Sequence, residues 1–295
     1  MTKVALITGA TRNLGFFLAK GLGARLGAGD VVYLTGRDPA RVQESAELAR
    51  GGRAEIRGEV LDVADRPSVE RLARAIHQAH GGIDLVLSNH YRRVTPADDP
   101  ANVIDAYVAA NNLGTTNILR NFAPLLLDRG RLLVIASRAG SLRALAPALH
   151  PRFENRATLD DVDAAVLAWR DAVREGRAGG EAWPGWINIP SKIGQVAAVR
   201  ALAQQRRTAD LARGIMLCAI SPGLIDTGAS RPYFSDMSRA KSPEAAAELL
   251  LDFALADQLD TRYYGELVHL GKRSRPLRFK RRVRRDIAVE INNDN

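Results

Sequence analysis

Short apolar runs alternate with stretches of helical periodicity along most of the chain. Runs rich in Val, Leu and Ile at residues 4–8, 31–34, 54–61, 85–88, 132–136, 216–220 and 267–270 read as strands. Apolar residues spaced by three and four fit helices over 14–26, 40–50, 68–78, 103–127, 194–206 and 243–255. Apolar strands separated by helices imply a parallel sheet covered on both faces. The predicted fold class is α/β, a Rossmann-type doubly wound parallel sheet. One region breaks the alternation. Residues 145–186 stand where the next helix should follow, and they contain Thr158-Leu159-Asp160-Asp161, a capping-box pattern, then helical spacing over 162–175. This region reads as an inserted helical segment packed on a single domain spanning 1–271.

Length and composition agree with one large core, since 46% of the 295 residues are hydrophobic. Cys218 is the only cysteine, so no internal disulfide is possible and a reducing cytoplasm is the expected compartment. Strand sequence begins almost at once, which leaves no room for a signal peptide, and no apolar run reaches membrane-spanning length. No metal site is predicted. The net charge of +9 is unevenly placed: residues 272–285 alone hold nine basic side chains, in a tail running to 295. Such a tail is ordinarily solvated, and its sharper use is attraction to an acidic partner. No nucleic-acid-binding fold accompanies it, so nucleic acid is not the expected partner.

The first strand runs into Thr8-Gly9-Ala10-Thr11-Arg12-Asn13-Leu14-Gly15 and then into helical sequence. A strand, a glycine turn and a helix N-terminus form a phosphate cradle: glycines let backbone amides approach a pyrophosphate, and the helix end offers unpaired N–H groups. Gly9, Thr11, Arg12, Asn13, Leu14 and Gly15 are therefore candidate coenzyme residues. The second strand ends Leu34-Thr35-Gly36-Arg37, without the carboxylate that accepts ribose hydroxyls from NAD. Arg37 and Arg12 can instead pair with a 2′-phosphate, which favours NADP(H). Asp62, at the end of the third strand, is a candidate acceptor for the adenine amino group, or a plain strand-end aspartate.

Further stretches fall in a telling order: Leu61-Asp62-Val63, Ser88-Asn89-His90-Tyr91, Asn111-Asn112-Leu113-Gly114, the run ending at Ser137, Asn188-Ile189-Pro190-Ser191-Lys192, and Pro222-Gly223 with Thr227. With the glycine turn, their order and spacing resemble the short-chain dehydrogenase/reductase family over about residues 3–271, and the long insertion resembles that of the monomeric carbonyl reductases within it. The resemblance implies that Ser137 bonds the substrate oxygen, that Lys192 holds the nicotinamide ribose, and that Asn111 supports them. It also places Val63, Asn89, Pro222, Gly223 and Thr227 at the coenzyme. The family's tyrosine acid is missing, because Asn188 stands four residues before Lys192. An amide is no general acid near neutral pH, although it can still bond a carbonyl. Pro190 suits a first helical turn, so a helix starting near Ile189 with Asn188 as its cap is an equal reading.

His90 and Tyr91 are candidate replacement acids, both proton-competent and both expected at the carboxyl edge of the sheet. Arg92, Arg93 and Arg138 follow the same loops and could attract an anionic substrate. Tyr233 and Phe234 fall where the family's substrate lid would be, suggesting an aromatic or greasy substrate. The expected function is an NADPH-dependent reductase of a conjugated C=C, a C=N or a C=O in a small molecule of secondary metabolism. A non-redox cyclase, dehydratase or isomerase on the same fold and a catalytically inactive NADP-binding protein are the alternatives. The insertion resembles one that covers the family's dimerisation face, so a monomer is expected.

Overall fold

The computed structural model describes residues 2–270. Within them lies one seven-stranded sheet, built from β1 (Val4–Ile7), β2 (Val31–Gly36), β3 (Glu55–Val60), β4 (Ile83–Ser88), β5 (Leu126–Ile135), β6 (Met216–Ser221) and β7 (Leu267–His269). The spatial order is β3-β2-β1-β4-β5-β6-β7, and every neighbouring pair is parallel. Winding outward from β1 to β3 and restarting at β4 leaves a crevice above the carboxyl ends of β1 and β4, where such sheets bind ligands. β1, β2 and β6 are buried along their whole length, as a sheet covered on both faces demands.

The helices are α1 (Asn13–Arg25), α2 (Pro39–Ala49), α3 (Arg66–His80), α4 (Pro100–Val108), α5 (Gly114–Phe122), α6 (Leu159–Arg174), α7 (Asn188–Ala212) and α8 (Pro243–Leu255). The helix expected over 103–127 differs in two ways. A single π-helical turn, Ala109–Leu113, joins α4 to α5 without a break, and it carries Asn111 and Asn112. The helix then stops at Phe122, because Pro124 opens a 3-10 turn and Leu126 turns extended to pair with Ile83 on β4. π turns of this kind recur where a helix must re-aim side chains.

α7 is longer than the expected 194–206, running 25 residues. Its first two turns lie in the core, and they carry Asn188, Lys192 and Gln195 toward the carboxyl edge. The inserted region forms 3-10 turns and α6, which starts in a full capping box: Thr158 and Asp161 exchange side-chain-to-backbone bonds of 3.0 and 2.9 Å. α6 packs against α4 and α7 and buries Trp169 completely. The basic tail falls outside the described residues. Among the described residues, no helix is long and apolar enough to cross a membrane.

Candidate coenzyme and active site

The turn between β1 and α1 is shaped by conformations that few residues adopt. Gly9 has φ +63° and Asn13 φ +48°, both in the left-handed region, where Gly is free and Asn is tolerated. A Cβ on Gly15 would come within 2.4 Å of the Gly9 carbonyl oxygen, so only glycine lets the turn fold onto the helix. Leu14 is buried and anchors the first turn, and the Thr11 carbonyl accepts from Ser45 Oγ at 3.1 Å. α1 begins with no capping side chain and no acid in its first turn. By contrast α2, α4, α6 and α8 are each capped by a side chain, from Asp38, Asp99, Thr158 and Ser242. A bare helix N-terminus beside a glycine turn fits a phosphate group.

Arg12 and Arg37 flank this turn. Both are exposed, and neither guanidinium has an ion-pair or hydrogen-bond partner among the described residues. Asp62 directs one carboxylate oxygen to the Ala64 amide at 3.0 Å, while the Val63 carbonyl accepts from Asn117 Nδ2 at 2.9 Å. Asn89 pins the glycine turn to β4 by donating to the carbonyls of Thr8 and Gly9, each at 3.2 Å.

His90 sits deeper than a proton donor to substrate would. Thr8 Oγ1 accepts from the amides of Asn89 and His90, so its own proton goes to His90 Nδ1 at 2.9 Å. Thr115 Oγ1 gives its proton to the Asn111 carbonyl at 2.8 Å, so His90 Nε2 carries the hydrogen that reaches Thr115 at 3.4 Å. The imidazole is thus neutral with its proton on Nε2. Burial, with the Lys192 charge adding to it, pulls its pKa down to about 3. The candidacy of His90 as replacement acid gives way to a structural role, tying β1 to α5.

Lys192 is also buried, and burial pulls its pKa down to about 8. Its ammonium donates to the Ile135 carbonyl at 3.2 Å and to Gln195 Oε1 at 2.8 Å, and lies 5.5 Å from the centre of the Tyr91 ring. Asn111 uses its side-chain amide twice on the backbone of Arg92, accepting at 2.7 Å and donating at 3.2 Å. Asn112 and Ser191 form a matching pair that locks the π turn to the start of α7.

Asn188 is the first residue of α7 and does not cap it. Its Oδ1 instead accepts from the Tyr107 hydroxyl at 3.0 Å, which leaves the Nδ2 hydrogens without an acceptor among the described residues. Ser137 Oγ accepts from the Ala139 amide at 3.2 Å and keeps its own proton to donate. Tyr91 packs edge-on against Tyr107, ring centres 6.2 Å apart at 83°, and burial holds its hydroxyl above the ordinary tyrosine pKa. Tyr107 and Gln195 escape sequence reading. Each looks like an ordinary helix residue, and only partners about eighty residues away reveal a polar role.

Beside these residues opens a cavity of about 310 Å³, with Val94, Pro96, Val103, Trp186, Ile187 and Tyr233 among its walls. Trp186 stacks on Tyr233, ring centres 5.0 Å apart, and meets the partly exposed Phe234 edge-on at 6.3 Å. Arg93 donates to the Gly228 carbonyl at 3.1 Å and ties the loop after β4 to the segment carrying Tyr233. Arg92 is half-buried and Arg138 exposed. Pro222 and Gly223 follow β6, where Lys241 Nζ donates to the Pro222 carbonyl at 3.2 Å, and the Thr227 hydroxyl accepts from the Ala229 amide at 3.3 Å. A larger cavity, about 400 Å³, opens at the opposite edge of the sheet. Its Arg131 is engaged with carbonyls at the end of α8, and none of the groups above reaches it.

A family model described as short chain dehydrogenase matches residues 3–147. Carbonyl reductase 3 of Mus musculus, an NADPH enzyme by its name, is 30% identical over 278 residues, spanning 90% of this chain and 96% of that protein. Carbonyl reductase 1 of Macaca fascicularis, likewise named for NADPH, is 30% identical over 259 residues, spanning 86% and 91%. The chain belongs to the short-chain dehydrogenase/reductase family. Two solved plant enzymes share the fold: salutaridine reductase of Papaver somniferum, with a TM-score of 0.73 at 20% identity, and menthone neomenthol reductase of Mentha piperita, with 0.70 at 18%. Each covers 90% of this chain, and the chain covers 99% and 98% of them.

The buried histidine of this short-chain dehydrogenase gives it a pH signature. His90 titrates near 3 in the folded chain against 6.5 ordinarily. Between those values the unfolded chain binds a proton that the folded chain refuses, so stability is full above the upper value and is lost as pH falls toward the lower. Denaturant titrations are expected to show a loss of a few kcal/mol across that window. The His90→Asn variant should be less stable at pH 7 but lose much of that slope; an unchanged slope would refute the assignment.

Proposed function

We propose that this chain is an NADPH-dependent reductase of a polarised double bond in a small, largely apolar substrate, with Tyr91 serving as the acid that Asn188 cannot be. When bound, NADPH supplies the hydride. The bare N-terminus of α1 would hold its pyrophosphate, and the unpaired Arg12 and Arg37 its 2′-phosphate. The names of the mammalian relatives agree with that choice.

The observation that carries the reading is the placement of Tyr91. Its ring stands 5.5 Å from the Lys192 ammonium, while His90, the other candidate, has both ring nitrogens engaged. Burial keeps the Tyr91 hydroxyl protonated at neutral pH, the form in which an acid must start. Ser137 and Asn188 each retain a free donor hydrogen, which suits them to polarise the substrate heteroatom as an oxyanion hole does. The cavity walled by Val94, Pro96, Val103, Trp186 and Tyr233 would take an apolar, ring-bearing substrate whose reducible bond points toward Asn188. Enones, whose conjugate reduction leaves a delocalised enolate, and iminium substrates, which become neutral amines, depend less on the acid than ketones do.

Tyr91→Phe should reduce ketone turnover about 100-fold, the scale of one general acid, with NADPH affinity within about twofold of wild type. Full ketone turnover in that variant would remove Tyr91 from the role. The paired substitution Arg12→Ala with Arg37→Ala should weaken NADPH at least tenfold, and NADH by less than about twofold, measured by calorimetry. Equal losses for both coenzymes would mean that the arginines do not read the 2′-phosphate. Product formation without coenzyme consumption would replace the reductase with a non-redox enzyme. We also read the chain as a monomer, because α6 lies across α4 and α7; sedimentation as a dimer at micromolar concentration would overturn this.

A further inference from the structure

A short-chain dehydrogenase that uses Lys192 on its coenzyme must hold a buried ammonium in register without a counter-ion. No carboxylate pairs with Lys192 among the described residues. The titratable side chains facing it are Tyr91 and the neutral His90. Its two protein acceptors are the Ile135 carbonyl and Gln195 Oε1. Gln195 is itself buried, one helical turn along α7 from the lysine.

The orientation of that amide is fixed. Gln195 Nε2 donates to the Asn111 carbonyl at 2.9 Å and to Thr115 Oγ1 at 2.8 Å. Thr115 cannot donate in return, since its proton already goes to the Asn111 carbonyl. Both amide hydrogens therefore point to the π turn and α5, and the amide oxygen must face the lysine. A flipped amide would set two N–H donors against an ammonium and a carbonyl against an acceptor oxygen.

We propose that Gln195 is the positioning residue for Lys192, transmitting the fixed geometry of the π turn to the ammonium and leaving one N–H of that ammonium to a ligand. Besides these two acceptors the ammonium faces the Tyr91 ring, 5.5 Å from its centre, at the carboxyl edge of the sheet. The residue acts through Lys192 and touches neither coenzyme nor substrate. The inference rests on the reading that Lys192 binds the coenzyme only for its functional consequence; the hold on the ammonium is testable without it.

The test is a titration of the full-length, ligand-free protein labelled with ¹³C at lysine Cε. The chain has only six lysines, and Lys192→Met assigns the signal. Wild-type Lys192 is expected to titrate near 8. Gln195→Leu removes the acceptor and should lower that midpoint by about one unit, while Gln195→Glu offers a charged acceptor and should raise it by about one unit or more. NADPH binding by calorimetry should follow, weakening at a lower pH in the leucine variant and at a higher pH in the glutamate variant. A Lys192 midpoint that stays within about 0.3 unit in both variants overturns the proposal, and the glutamate variant alone decides if the leucine variant does not fold. If the midpoints move as expected while Lys192→Met binds NADPH as wild type does, the positioning stands and the coenzyme role of Lys192 falls.

Discussion

Lys192 carries its ammonium into a part of the molecule from which water is largely excluded, and the neighbouring residues are arranged to make that tolerable. A lone buried cation loses hydration that only well-placed acceptors replace. Here the replacements are one carbonyl at the end of β5 and one amide oxygen on the lysine's own helix. Both are neutral, so the charge is stabilised but not cancelled, and its pKa settles near neutrality instead of at an ordinary lysine value. That leaves a cation able to respond to a ligand or to a phenol beside it.

The same requirement organises a continuous set of polar contacts through the core. Thr8 on the exit from β1 bonds His90, His90 bonds Thr115, Thr115 and Gln195 bond the Asn111 carbonyl, and Gln195 bonds Lys192. Every hydrogen along this path has one assignable direction, and a fully satisfied buried network of this kind tends to specify a single arrangement. It links the glycine turn, proposed to hold the coenzyme phosphates, to the residues proposed for the chemistry. The π turn is what makes the joint possible. By adding a residue to the helical turn between α4 and α5, it aims the Asn111 side chain at the loop after β4 while its carbonyl faces α7.

Around this framework position 188 carries an amide. The Asn188 carbonyl oxygen is held by Tyr107, which is itself wholly buried and packed against Tyr91. Two phenols and an amide thus occupy the region in front of Lys192, with Tyr91 and Asn188 partly open to solvent and Tyr107 buried. The aromatic pair Trp186 and Tyr233 closes one wall of the adjoining cavity, and the bond from Arg93 to Gly228 holds that wall to the loop bearing Tyr91.

Period and composition along the chain were enough to define the α/β class, the parallel sheet, the glycine turn after β1 and the helical insertion, because each is a local pattern repeated or punctuated within a few dozen residues. Ser137, Lys192 and Asn111 were singled out by the family resemblance and not by local pattern. The end of the helix after Asn111 is not legible in the sequence, because apolar residues 125–127 continue a helical spacing and only pairing of Leu126 with β4 makes this segment strand. The roles of His90, Tyr107, Asn188 and Gln195 were decided by the folded chain. A histidine becomes neutral, an amide becomes a fixed acceptor and a tyrosine becomes a donor only when burial removes water and a partner from a distant segment arrives, and neither event leaves a trace in neighbouring sequence.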